Sequence, residues 1–198
     1  VSVPTGNVVH KEATKNPVER FLVDGFARAM QAALPLRASR ILEVGCGEGR
    51  QLVAIGSRYP GADLVGLDLP DAQLEQAWRD VPAAQLVQGS ALSLPFADKS
   101  FDLVMAVEVI EHLPDPEQAL REIARVASDA VVISVPWEPA WRIGNVVRGR
   151  YVAALGNTPG HIQHFTRRGL LRFVGRHLDV ETTLRPFPWT MIRAHVAS

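Results

Sequence analysis

One stretch constrains the fold more than any other: Ile41-Leu42-Glu43-Val44-Gly45-Cys46-Gly47-Glu48-Gly49-Arg50. An apolar run of strand length enters a turn with glycine at every second position, and a helical pattern follows. Glycine lets the backbone turn tightly and lets a ligand approach the main chain. N–H groups at the helix start can hold a negative group. The next apolar run, Val65-Gly66-Leu67, ends in Asp68, a carboxylate that can accept two hydrogen bonds from ribose hydroxyls. Strand, glycine turn, helix and strand together open an α/β fold with a mainly parallel sheet. A nicotinamide-type fingerprint wants glycine where Arg50 stands, which lowers a dehydrogenase reading.

The alternation continues along the chain. Helices are expected over 17–33, 48–58, 71–79, 116–126 and 166–176. Asn16 and Pro17 supply a cap and a first-turn proline for the first of them. Strands are expected over 40–44, 63–67, 84–87, 100–107, 130–135, 178–184 and 190–197. Residues 136–165 break the pattern with several prolines and glycines, two tryptophans and a tyrosine. They follow a strand on the side where α/β sheets bind ligands. We read them as a cap inserted in one domain spanning 1–198, with 1–35 as an N-terminal arm and helix.

Composition removes other classes. Lys+Arg and Asp+Glu both number 21, so a net charge of zero argues against holding nucleic acid by bulk charge. No run approaches the ~18 apolar residues of a membrane span. The segment Val1–Asn7 reads as a polar arm, not a signal sequence. The single cysteine, Cys46, excludes an internal disulfide and makes a reducing, cytoplasmic setting the default. Monomer and homodimer are equally compatible with the sequence.

The chain resembles class I S-adenosylmethionine-dependent methyltransferases of the small-molecule type. The resemblance rests on residues 43–49, then Asp68, then Leu94-Pro95-Phe96 with Ser100-Phe101-Asp102, then 108–114. It implies a Rossmann-like seven-stranded sheet of order 3-2-1-4-5-7-6 with the last strand antiparallel. By the same resemblance Glu43, Gly45, Gly47 and Gly49 lie near the methionine part of S-adenosylmethionine, and Asp68 binds its ribose. Leu69 packs on the adenine, and Ser90 and Ala91 flank the adenine amino group.

Chemistry centres on Glu108-Val109-Ile110-Glu111-His112. A helical turn there would put Glu108, Glu111 and His112 on one face. Methyl transfer needs positioning of two reactants, and a hydroxyl acceptor also needs a base or a metal ion. His112, with Glu111 beside it, suits the base. Carboxylates and imidazoles together suit a divalent ion such as Mg²⁺ or Mn²⁺. The Glu-x-x-Glu-His run with a later histidine resembles metal-dependent small-RNA 2′-O-methyltransferases, and the run itself resembles ubiquinone-pathway O-methyltransferases. That match implies Glu108, Glu111, His112 and His161 as ligands.

The cap adds arginines among aromatic residues. Trp137, Trp141, Arg148, Arg150, Tyr151 and His164 are candidate substrate contacts, suited to an anionic or flat molecule. The expected activity is methylation of oxygen, or less readily nitrogen, on a small metabolite. The alternatives are RNA 2′-O-methylation and a non-catalytic S-adenosylmethionine-binding protein.

Overall fold

A computed structural model describes residues 16–79, 84–149 and 151–197. The expectations for the arm before Asn16 and for Arg150 lie outside these residues. The described chain runs α1 (Pro17–Ala33), β1 (Arg40–Val44), α2 (Arg50–Gly56), β2 (Asp63–Asp68), α3 (Ala72–Trp78) and β3 (Gln85–Gln88). It continues through β4 (Phe101–Val107), α4 (Pro116–Val126), β5 (Ala127–Pro136), α5 (Glu138–Val147), α6 (Arg167–Val174), β6 (Leu178–Leu184) and β7 (Trp189–Val196). The strands form one seven-stranded sheet in the order β3-β2-β1-β4-β5-β7-β6. β3, β2, β1, β4 and β5 pair in parallel, and β7 runs antiparallel to both β5 and β6. This is the expected Rossmann-like order.

Both faces of the sheet are covered, which explains why its central strands read as continuous apolar runs. On one face Leu42, Val104, Ala106, Val131 and Ile133 pack against Leu120 and Ile123 of α4 and Leu170 of α6. On the other face Ile41, Leu103, Met105 and Val132 pack against Met30 of α1 and Leu52 of α2. Successive residues of β1 and β4 thus serve opposite cores, as the two-residue strand period requires.

Loops are fixed by side chains read from the motif segments. Asp102 accepts the N–H groups of Ser39 and Arg40 at 2.8 and 3.0 Å, tying the start of β1 to β4. Arg125 of α4 donates to the carbonyls of Leu94 and Phe96 and pairs with Asp98 and Glu122. That hub holds the Leu94-Pro95-Phe96 segment beneath β3 and β4.

The α2 helix begins two residues later than expected, because Gly49 takes a left-handed backbone (φ 77°) and serves as its cap. β5 begins three residues earlier, directly from the last turn of α4. Gly66 in β2 is a packing necessity: a Cβ there would lie 2.5 Å from Leu86 Cδ2 and 2.7 Å from Cys46 Sγ. Gly66→Ala is expected to destabilise the chain by about 1–3 kcal/mol, the usual cost of overpacking, read as a lower denaturation midpoint.

Candidate active site

The site forms where β1 and β4 lie side by side and their carboxyl ends release two turns. Gly45 follows β1 with φ 72°. A Cβ on Gly45 would lie 2.3 Å from Val109 Cγ2, so the glycine turn and the segment after β4 are in direct contact. The N–H groups of the glycine turn are engaged within the chain. Gly45 and Cys46 donate to the Leu67 carbonyl, and Gly49 donates to the Cys46 carbonyl. Gly47 donates to Asp68 Oδ2 at 2.6 Å. These bonds stitch the turn to the end of β2. Asp68 Oδ1 also accepts from the Leu69 N–H at 2.7 Å. The Trp78 indole donates to the Gly47 carbonyl at 2.8 Å and backs the turn from α3.

Glu43 lies at the floor of this turn, 3% exposed. Gln51 donates to its Oε1 at 2.9 Å, while its Oε2 is buried without a hydrogen-bond partner. Burial, with Asp68 adding to it, pushes the carboxyl up to about 8 against the bond from Gln51. The folded chain thus holds a proton that an unfolded carboxyl releases near 4.5. This group's contribution to stability therefore falls as pH rises from about 4.5 to about 8. A ligand that brought positive charge beside it, as a sulfonium or ammonium does, would lower that pKa and favour the carboxylate. The Cys46 thiol is held well above its usual range, first by burial and then by Glu43, so it packs and does not react. Leu69 is 44% exposed beside the turn. Ser90 accepts from the Leu92 N–H, and Ala91 beside it is buried.

The second turn departs from the expected helical face. Glu108 has a left-handed backbone (φ 58°), and a short 3₁₀ turn covers Ile110–His112. The reversal swings the Glu108 carboxylate away from its neighbours. Its two oxygens accept from Ser134 Oγ at 3.2 Å and Trp189 Nε1 at 2.8 Å. The residues that converge are Glu111, His112 and His161, whose ligand-capable atoms lie within 4.8 Å of one another. Glu111 is 1% exposed and His161 7% exposed.

His161 reaches the site because the end of the cap is tied to the 3₁₀ turn. Ile162 and Gln163 N–H groups both donate to the Glu111 carbonyl at 3.0 Å. The Gln163 side chain donates to the Leu113 carbonyl. His112 Nδ1 lies 2.9 Å from the Gly160 carbonyl, so Nδ1 carries the proton and Nε2 the lone pair. Burial lowers the His112 pKa below the ordinary histidine value, with the Gly160 bond opposing it and the neighbouring His161 adding to it. His112 is thus neutral at neutral pH.

His161 is arranged likewise. Its Nδ1 lies 2.8 Å from Glu138 Oε1, and Glu138 is 4% exposed in the first turn of α5. Trp141, one turn further on, stacks on His161 with centroids 6.3 Å apart and donates to Thr158. Glu138 is the residue that sequence reasoning passes over. Its signal is that it is the lone acid in an arginine-rich segment, and buried pairing is what such an acid needs.

The other cap candidates lie elsewhere. Trp137 receives the Arg167 guanidinium 4.0 Å above its ring, so this arginine braces the cap. Arg148 is exposed and bonds to Gly144 and Asn145 of its own helix. Tyr151 and His164 are also exposed.

Known proteins share part of this sequence and its fold. Residues 42–133 match the family model described as a methyltransferase domain. The chloroplastic tocopherol O-methyltransferase of Arabidopsis thaliana is 33% identical over 144 residues, covering 69% of this chain and 40% of that protein. The norajmaline N-methyltransferase of Rauvolfia serpentina is 33% identical over 105 residues, covering 50% of this chain and 36% of that protein. The chain therefore spans less than half the length of either relative. A crystal structure of a SAM dependent methyltransferase from Aquifex aeolicus superposes with a TM-score of 0.71 at 14% identity. That match covers 95% of this chain and 97% of the other, and it speaks to fold.

Proposed function

Because the chain carries a class I S-adenosylmethionine-dependent methyltransferase domain, we propose that it methylates an oxygen atom of a small molecule. The observation that carries this reading is His112. It is a neutral imidazole with its tautomer set by the Gly160 carbonyl, on the turn that packs against the glycine loop. Such a base can take the proton of a hydroxyl acceptor. S-adenosylmethionine, when bound, supplies the activated methyl carbon, so the protein's part is binding, orientation and proton handling. Glu43 suits the cationic portion of that molecule and Asp68 its ribose, with Leu69, Ser90 and Ala91 beside the adenine. Relatives named for O- and for N-methylation are equally similar in identity, so oxygen is chosen on the base alone. We take 1–198 as one domain with a cap, working in a reducing cytoplasm. Among the described residues no helix is long and apolar enough to cross a membrane.

A second reading is favoured by the convergence of Glu111, His112 and His161. Two imidazoles, each with Nδ1 already bonded, and one carboxylate suit Mn²⁺ better than the oxygen-preferring Mg²⁺. A divalent ion held there would lower the pKa of an acceptor hydroxyl. Glu108 stands aside from the three, held by Ser134 and Trp189.

The test is calorimetric binding of S-adenosylhomocysteine, followed by transfer of labelled methyl to panels of hydroxyl and amine acceptors. Asp68→Ala removes a carboxylate that orders both the turn and the proposed ribose contact. Its affinity for S-adenosylhomocysteine is expected to fall roughly ten- to a hundredfold, the worth of one or two charge-assisted hydrogen bonds. Wild-type chain that binds no S-adenosylhomocysteine, or that labels amines alone, overturns the reading.

A further inference from the structure

The inner side of α5 belongs to the site, through Glu138, Trp141 and Asn145. Asn145 is buried and donates to the Gly156 carbonyl and to Thr158, closing the cap on itself. The outer side is apolar and exposed. Ile143 is 65% exposed, Val147 80% and Leu155 72%. With Pro139, Arg142 and Val146 they line an open groove of about 440 Å³ that is almost wholly apolar. Valine and isoleucine side chains held in water at this density mark an interaction surface.

Charge identifies what fits it. From Pro139 to Leu155, the stretch that supplies the groove, the sequence has three arginines and no acidic residue. Arg142 lines the groove and Arg148 directly follows its lining residue Val147, and their bonds run to the carbonyls of Leu155 and Gly144 and to the Asn145 side chain. These are neutral acceptors, so both cations keep their full charge beside the apolar face. A helix with an apolar face and an arginine border is the pattern of an interfacial helix that lies in the headgroup region of an anionic membrane. A purely apolar partner would leave the arginines stranded, and an acidic protein groove would leave the valines unburied.

We propose that the outer face of α5, with the turn through Leu155, docks on an anionic lipid bilayer. Docking places the groove in the headgroup layer and the cap's inner wall, with Trp141 and His161, one helix thickness away. A substrate held in the membrane then reaches the site without crossing water. The inference goes beyond the methyl-transfer reading and does not depend on it.

The experiment is co-sedimentation of the full chain with sucrose-loaded vesicles, one set of phosphatidylcholine alone and one of phosphatidylcholine and phosphatidylglycerol in equal parts. The chain is expected to sediment with the anionic vesicles, and to be released as salt is raised. Val147→Asp and Leu155→Asp are expected to lower the partition coefficient by about tenfold or more. Both positions are exposed, so the variants keep the wild-type circular dichroism and S-adenosylhomocysteine affinity. Failure to sediment with the anionic vesicles overturns the proposal, as does wild-type partition by both aspartate variants. A concentration-dependent dimer that Val147→Asp splits also overturns it, because a second copy then covers the face. None of these outcomes touches the S-adenosylhomocysteine measurement, so the two readings fail separately.

Discussion

His112→Ala is expected to lower the methyl-transfer rate by roughly 10²–10⁴-fold, the range of a positioned general base. S-adenosylhomocysteine affinity should stay at the wild-type value, since the cofactor residues lie on the other turn. The size of the loss follows from how completely the ring is prepared. The Gly160 carbonyl holds Nδ1 at 2.9 Å, and burial keeps the ring neutral. The sign of the pH dependence follows as well. A base works unprotonated, and a lowered pKa leaves it unprotonated throughout the neutral range. The rate of the wild type should therefore be level near neutrality and fall only as pH drops through a value below about 6.5. A rate that falls already above the ordinary histidine value, or an alanine variant as fast as wild type, removes His112 from proton handling.

The glycine turn, Asp68 and the strands were legible because each is a local statement. A strand shows its period over five residues, and an x-Gly-x-Gly turn states its own backbone. The order of the sheet is not local, and it came from resemblance alone. Two features of the site were illegible for a related reason. Glu108 takes a left-handed backbone that no non-glycine residue advertises, so counting i, i+3 and i+4 placed its carboxylate with Glu111 and His112. The chain spends that reversal on hydrogen bonds to Ser134 and Trp189, which lie on β5 and at the start of β7. Glu138 pairs with a residue far along the cap, and its helix is hard to see. Gly144, Asn145, Val146 and Val147 are poor helix formers, so α5 reads as loop. Tertiary contacts from Trp141 and Asn145 to Thr158 supply what propensity does not.

Glu138→Gln is expected to weaken Mn²⁺ binding by roughly 10–100-fold, the usual effect of losing a partner behind a ligating histidine. The carboxylate fixes the proton on His161 Nδ1 and so leaves Nε2 for a metal. It also makes the imidazole a stronger donor of its lone pair, because a charged acceptor pulls harder on the Nδ1 proton than an amide oxygen does. Glutamine fills the same space and can still accept, so the ring stays in place while the charge is lost. Its amide nitrogen would then occupy the position of Oε2, which is buried and receives no hydrogen bond in the described chain. A buried amide N–H left without an acceptor there would add a stability loss of about 1–3 kcal/mol. Calorimetry with Mn²⁺ alone reads the metal, and a denaturation midpoint reads the fold, so the two effects separate. His112→Ala should abolish the same Mn²⁺ signal, because it removes one of three ligands and not a support. If wild-type chain gives no Mn²⁺ signal, the metal reading falls, and the three side chains are a proton-handling cluster alone. Glu138 then acts by holding His161 against His112, whose rings meet edge to face at 4.9 Å. In that case Glu138→Gln should move the acid limb of the rate profile, since the charge facing His112 through His161 has changed.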